Sequence, residues 1–298
     1  MRWRILPPLV AHTLGWTGPS ALLIPLIGIG GFMVAWSVFC LRWLGDRLDT
    51  ALVLTVTATS AALLTPFHWL GINDSWYLLG LAAVAGGRSP ASLLLPGLLA
   101  PWVDERFLFG LPLALTCRFW LSAPAHGWLR PTALALGCLV PYLLARGGGV
   151  FINGDPTSGS FVRTALEILP RYLSYGWIGW WHGLRAGWLL CAAALVGAWL
   201  SWGSRGLLAT AAAALLGMGA ITALAADLSR SVGLLVPLLL MGAVAFRRAR
   251  LSPTAVTFTL TSMAAFNSVT PLLLVTYTKI IPTWPLPVEI FRLLRPAG

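Results

Sequence analysis

Apolar runs recur from Pro19 to Tyr277 with only short breaks between them. One water-soluble core cannot hide that much hydrocarbon, so a chain patterned this way is built for the bilayer as solvent. Composition agrees: 58% of the residues are hydrophobic, 10% are charged and the mean hydropathy is +0.82, where soluble domains carry about 25% charged residues. The fold class read from this pattern is all-α, a polytopic integral membrane protein whose residues 1–298 form a single transmembrane domain.

Dividing the runs at charged residues and at Pro/Gly breaks gives about ten membrane helices. They fall roughly at 19–41, 51–66, 76–87, 91–103, 107–120, 129–146, 187–203, 207–226, 231–246 and 254–278. Several are short or broken. A helix of 12 residues covers about 18 Å of a roughly 30 Å hydrocarbon core, so 76–87 and 91–103 cannot cross alone. Irregular backbone at that depth is tolerated where it lines a wet cavity, and a hydrated cavity is therefore expected beside them. Residues 1–18 read as an external juxtamembrane helix. Residues 147–186 read as one long external loop, in which the amphipathic "FVRTALEIL" ends at Pro170 and the Trp-rich "WIGWWHGLRAGW" follows.

The formal charge of +11 raises nucleic acid as a partner. The arginines, however, stand singly at the ends of apolar runs, where they set topology, and this argues against nucleic acid. One alternating set of short loops holds Arg42, Arg47, Arg88, Arg118, Arg130, Arg205, Arg247, Arg248 and Arg250, and is read as cytoplasmic. Asp46 and Asp49 lie on that side and read as a solvated loop. Asp74, Asp104, Glu105, Asp155, Glu167 and Asp227 fall on the other side, with His68, His182 and Arg185. The four cysteines lie inside apolar runs without C-x-x-C spacing, so they read as small core residues rather than a zinc site or a disulfide framework.

Ionisable groups embedded in apolar segments are costly and mark candidate sites. "PWVDERFLFG" places Asp104, Glu105 and Arg106 between two uncharged runs. Arg106 can bind a phosphate, and Asp104 or Glu105 can take a proton from a hydroxyl; the bland reading is an internal salt bridge that fixes a helix hairpin. "ADLSRSVGLLVP" offers Arg230 as a second phosphate ligand, against a local ion pair with Asp227 three positions away, with Ser229 and Ser231 able to cap the next helix. His68 and Asp74, six apart without a third ligand, give a weak metal signal. The tryptophans around His182 and Arg185 read as interfacial anchors or as stacking faces for a sugar or isoprenoid.

"RILPPLVAHTLGW" resembles the external juxtamembrane helix of GT-C-fold glycosyltransferases and related bacterial exopolysaccharide proteins, and "PWVDERFLFGLPLALTCR" and "DLSRSVGLLVP" look like segments of that broad group. The resemblance implies a GT-C-like fold in a bacterial inner membrane, with its site facing the exterior. It also implies transfer of a sugar from a polyprenyl-phosphate donor during cell-envelope or exopolysaccharide assembly. The family's usual base is an acid in the first external loop. The chain is expected to start after that point, so Asp104 or Glu105 would take the role while Arg106 and Arg230 stabilise the leaving phosphate, with Asp74, Asp227, His68, His182 and Arg185 lining the substrate site. No certain cofactor follows, and a divalent metal is compatible but not required. Partners expected are a lipid-linked sugar and membrane lipids. Two rival readings stand: a transporter or flippase for an anionic or lipid-linked substrate, and a non-catalytic subunit docking to membrane-complex partners.

Overall fold

Proline and glycine set where these helices stop and bend. The computed structural model describes residues 4–68, 72–122, 127–153, 156–224, 227–249, 251–276, 279–285, 287–288 and 291; within these, the side chains of 67–68, 149–153, 156–166, 168, 171–172 and 224 are not described. A short α1 (Leu6–Thr13) begins with the Pro7-Pro8 pair, which suits a first helical turn because the missing N–H groups have no partner there. A 3-10 turn leads into α2 (Leu23–Leu44), which ends at Gly45 in the left-handed conformation. Then follow α3 (Arg47–Ala58), capped by the Asp46 side chain, α4 (Ala61–His68), α5 (Asp74–Gly86), α6 (Ala91–Val103) and α7 (Arg106–Ser122). The second half holds α8 (Leu129–Asn153), α9 (Pro156–Leu184), α10 (Gly187–Leu224), the single-turn α11 (Leu228–Ser231), α12 (Val236–Arg248) and α13 (Pro253–Val269).

The all-α reading holds for the bulk of the chain, but ten membrane helices do not form. Among the described residues three helical stretches are long and apolar enough to cross a membrane: Gly18–Leu44, Gly187–Ala223 and Leu228–Arg248. Ala91–Val103 is apolar but short. The run counted as a span at 51–66 is cut by a turn at Thr59-Ser60 into α3 and α4, and the run at 76–87 forms the short α5 as expected.

The expected break between 187–203 and 207–226 appears as a kink at Gly203, with φ +65° and ψ −156°, rather than as a loop. The Trp180 indole donates to Thr222, near the far end of α10, while its carbonyl accepts from Trp188, near the start. Those two positions would lie about 50 Å apart on a straight helix. The two arms of α10 therefore run antiparallel, side by side.

Two further expectations change. Residues 147–186 are not a loop: α8 continues through Asn153, and α9 runs through Pro170 to Leu184. Pro170 is exposed, so the lost backbone bond lies on a surface where the helix can bend without burying an orphan carbonyl. The helix expected over 254–278 stops at Val269, and the chain turns into an antiparallel hairpin, β1 (Leu272–Val275) against β2 (Ile280–Thr283). Pro271 and the β-branched Val275, Ile280, Ile281 and Thr283 favour this change.

The Leu228–Arg248 stretch forms the centre, packed by α5, α7 and α10 and buried almost throughout. Gly242 lets α12 touch α10 at backbone distance, for an added Cβ would meet the Leu190 carbonyl at 1.9 Å. At the opposite side of the chain's charge distribution, Asp49 is buried rather than solvated, with Arg247 Nε 3.2 Å away and a hydrogen bond from Thr257 of 2.8 Å. All four cysteines are buried and free.

Candidate functional site

Three turns far apart in sequence meet at one end of the helices. The first residue of α5 is Asp74, where a carboxylate suits the helix N-terminus. Asp104 stands in the break between α6 and α7 and receives the backbone N–H of Arg106 at 2.9 Å. Asp227 and Arg230 frame α11, paired at 2.8 Å across three positions. Arg4, just before α1, reaches Asp104 at 2.9 Å.

Arg106 ties these turns together. Its Nε donates to one Asp104 oxygen and one terminal nitrogen to the other, both at 2.8 Å. That same nitrogen, Nη2, also donates to Asp74, and Nη1 donates to the Ser231 hydroxyl at 3.1 Å. The guanidinium carbon lies 4.9 Å from the centre of the Tyr77 ring. Arg230 closes the set by donating to the second Asp74 oxygen at 3.3 Å. Three arginines and three aspartates thus balance, which is the condition for holding charges away from water. Asp74 and Asp104 are each 1% exposed and Arg106 6%. Burial pushes the Asp104 carboxyl up, but the guanidinium of Arg106 and then that of Arg4 outweigh it and hold it down to about 2.

A carboxylate so held is a weak base, which bears directly on the catalytic role expected for Asp104. Glu105, its neighbour and fellow candidate, points elsewhere: it pairs with Arg146 at 3.1 Å and accepts from Tyr142 at 3.2 Å, on α8. The hydrated cavity expected beside 76–87 and 91–103 takes another form among the described residues: the groove between α5 and α6 is lined by hydrocarbon, and the charged turns border only a narrow cleft. The cleft lined by Thr65, Asp227, Ser229, Arg230 and Thr276 holds about 10 Å³, roughly one water. Arg230 Nε lies buried in this region without a hydrogen-bond partner.

The other predicted residues sort apart from these charges. His182 accepts the Leu273 N–H on Nδ1 at 3.3 Å, so it docks β1 against α9. Burial, and then the charge of Arg185, hold it down to about 4. Arg185 is 2% exposed and adopts φ +55°, and it donates to the carbonyls of Thr59 and Thr270 and to the Thr270 hydroxyl. It fastens the α9–α10 junction and reaches none of the three turns. Trp177 and Trp181 point outward, whereas Trp180 and Trp188 are bonded inside. The side chain of His68 and all of Asp155 lie outside the described residues. Among those described, no group of three His, Cys, Asp or Glu residues is placed to hold a metal ion.

The serines expected as caps do other work. Ser231 accepts from Arg106 and donates to the Asp227 carbonyl. Ser229 joins the hairpin, accepting from Val275 N–H at 2.8 Å and donating to the Leu273 carbonyl. With an isolated bridge between Asp227 and Thr276, these bonds make the hairpin one wall of the cleft. Sequence reasoning missed this wall, and it missed Arg4 and Tyr77 as members of the cluster. Arg4 had a signal, because it opens the "RILPPLVAHTLGW" segment.

No protein-family model matches this chain, and comparison with curated proteins and with solved structures gives no match either.

Proposed function

We propose that this is a membrane protein acting on a phosphate-bearing lipid carrier at the face where the three turns meet, with transfer of a sugar from that carrier as its chemistry. The observation that carries the reading is Arg230, whose buried Nε lacks a partner beside a cleft rich in hydroxyls. An orphan guanidinium N–H is a standing donor for a phosphate oxygen. Thr65, Ser229 and Thr276 supply neutral hydroxyls around it. Widening the cleft requires the hairpin to move away from Ser229 and Asp227.

Within this reading the base is Asp227 rather than Asp104. Asp227 lines the cleft, its side chain is 19% exposed and it pairs with Arg230 alone among the described residues, whereas Asp104 is committed to two arginines and Glu105 faces α8. Asp227 would take the proton of the acceptor hydroxyl while Arg230, backed by Arg106, stabilises charge developing on the departing phosphate.

The reading is tested with the purified full chain in nanodiscs. Polyprenyl phosphate should raise its thermal midpoint where phosphate-free polyprenol does not, and Arg230→Gln should erase the difference. Equal responses to both lipids would end the phosphate assignment. Binding without release of radiolabelled sugar from polyprenyl-phosphate sugars would instead favour a second reading, a non-catalytic membrane subunit. The saturated ion pairs of Asp74, Asp104 and Arg106 are the observation that supports that alternative.

A further inference from the structure

A second groove, of about 530 Å³, lies between α1, α2, α5 and α6, apart from the Arg230 cleft. Leu6, Pro7, Ile24, Leu79, Leu95 and Val103 are among its walls. The polar groups that border it are already engaged: the Trp76 indole donates to the Ile24 carbonyl at 2.9 Å, and the Ser92 hydroxyl donates to Ser89 O and accepts from Arg118. What remains facing the groove is hydrocarbon, so its occupant must be hydrocarbon along that length.

The ends differ. The groove follows α6 from Ala91 to Val103, about 18 Å of helix rise, close to one leaflet of a roughly 30 Å core. At the Val103 end stands Arg4, two residues from Leu6 on one wall and bridged to Asp104 on the other. Arg4 spends one terminal nitrogen on that bridge, and its side chain is 42% exposed. A guanidinium carries five N–H donors, and Asp104 is the one ion-pair partner of Arg4 among the described residues, which leaves donors for a second anion.

We propose that this groove binds one acyl chain of an anionic membrane phospholipid, with the lipid phosphate seated on Arg4. The length sets the chain class. A run of about 18 Å beside α6 spans roughly one leaflet's depth of hydrocarbon, which suits one acyl chain and not a long polyprenol. Charge sets the head group, because the only charged side chain bridged across the groove mouth among the described residues' ion pairs that is itself exposed is cationic Arg4. The site is separate from the Arg230 cleft, so its occupancy stands or falls independently of the sugar-transfer reading. Its bridge to Asp104 nonetheless couples it to the buried network, since the lipid phosphate competes with Asp104 for Arg4.

The test uses the full chain in phosphatidylcholine nanodiscs doped with phosphatidylglycerol bearing a diazirine in its acyl chain, with labelled peptides mapped by mass spectrometry after photolysis. Label is expected in residues 76–83 and 91–103, exceeding severalfold that from the matched phosphatidylcholine probe, whose choline cation offsets the charge of the same phosphate beside Arg4. Arg4→Gln should bring the two probes level, Arg4→Lys should keep most of the preference, and Leu95→Trp should reduce labelling by both. Equal labelling of the unmodified protein by the two head groups would overturn the proposal. So would loss of label on adding unlabelled polyprenyl phosphate at equal mole fraction, which would make the occupant a carrier lipid. Absence of label from the groove, or full labelling of Leu95→Trp, would also overturn it.

Discussion

Asp74 holds two arginines at once, Arg106 from 32 positions away and Arg230 from 156 positions away, one on each carboxylate oxygen. One buried carboxylate thus bridges the two halves of the chain, beside the direct Arg106–Ser231 hydrogen bond.

Removing that side chain leaves three guanidinium groups to share two carboxylates, one positive charge too many in an apolar setting. Asp74→Ala is expected to cost about 3–5 kcal/mol, the penalty of breaking a buried pair from one side. A double substitution, Asp74→Leu with Arg106→Met, should cost less than the single one, because it removes the stranded charge as well. Unfolding titrations in mixed micelles check the order of the two.

Acid should loosen the same cluster through Asp104. Its carboxyl is lowered in the folded protein from 3.8 to about 2, so the folded state favours the ionised form. The stability this supplies is complete above about pH 4 and is lost as the pH falls toward 2, amounting to about 2 kcal/mol. A thermal midpoint followed from pH 5 to pH 2.5 should fall, and Asp104→Asn should flatten that part of the slope.

His182 gives a second pH dependence in a different window. Its neutral Nδ1 accepts the Leu273 N–H, and protonation turns that acceptor into a donor. With the imidazole held down from 6.5 to about 4, the contribution is full above pH 6.5 and is lost as the pH falls through 4. Hydrogen exchange at Leu273, corrected for intrinsic rate, should speed up across that interval. An unchanged protection factor would mean that the hairpin does not depend on His182.

Close packing of α10 on α12 predicts a contrast between two glycines. Gly242→Ala must push a methyl group into the Leu190 carbonyl, and a cost of about 3 kcal/mol is expected from overpacking against backbone. Gly219→Ala, with nothing within 4 Å of the new atom, should be neutral or stabilise by about 0.5–1 kcal/mol. Parallel melts of both variants decide this.

Much of the site was legible because charge is so rare in this chain. Asp74, Asp104, Arg106, Asp227 and Arg230 stand out against apolar neighbours, and all five meet. What could not be read was how tightly they close: a charge in an apolar run signals a partner but not whether water accompanies it. The hairpin after Val269 was hidden because "LLLV" reads equally as buried helix or strand. The helix through Pro170 was hidden because proline ends most helices but only bends those with an open face. The count of ten spans failed for a related reason, since hydropathy marks what avoids water without saying whether lipid or neighbouring protein covers it. Arg185 shows the same limit, for its position beside four tryptophans suggested a ligand, whereas carbonyls of the fold consume its donors.

The charge balance at the three turns bears on how such a chain can be built. Arg4 and Arg106 already neutralise Asp74 and Asp104, and Arg230 neutralises Asp227. Each portion can thus be threaded into a bilayer as a locally neutral package before the other has left the ribosome. Docking then adds the Arg230–Asp74 contact to pairs that each portion already holds, so these three turns need not carry an unbalanced charge into oil.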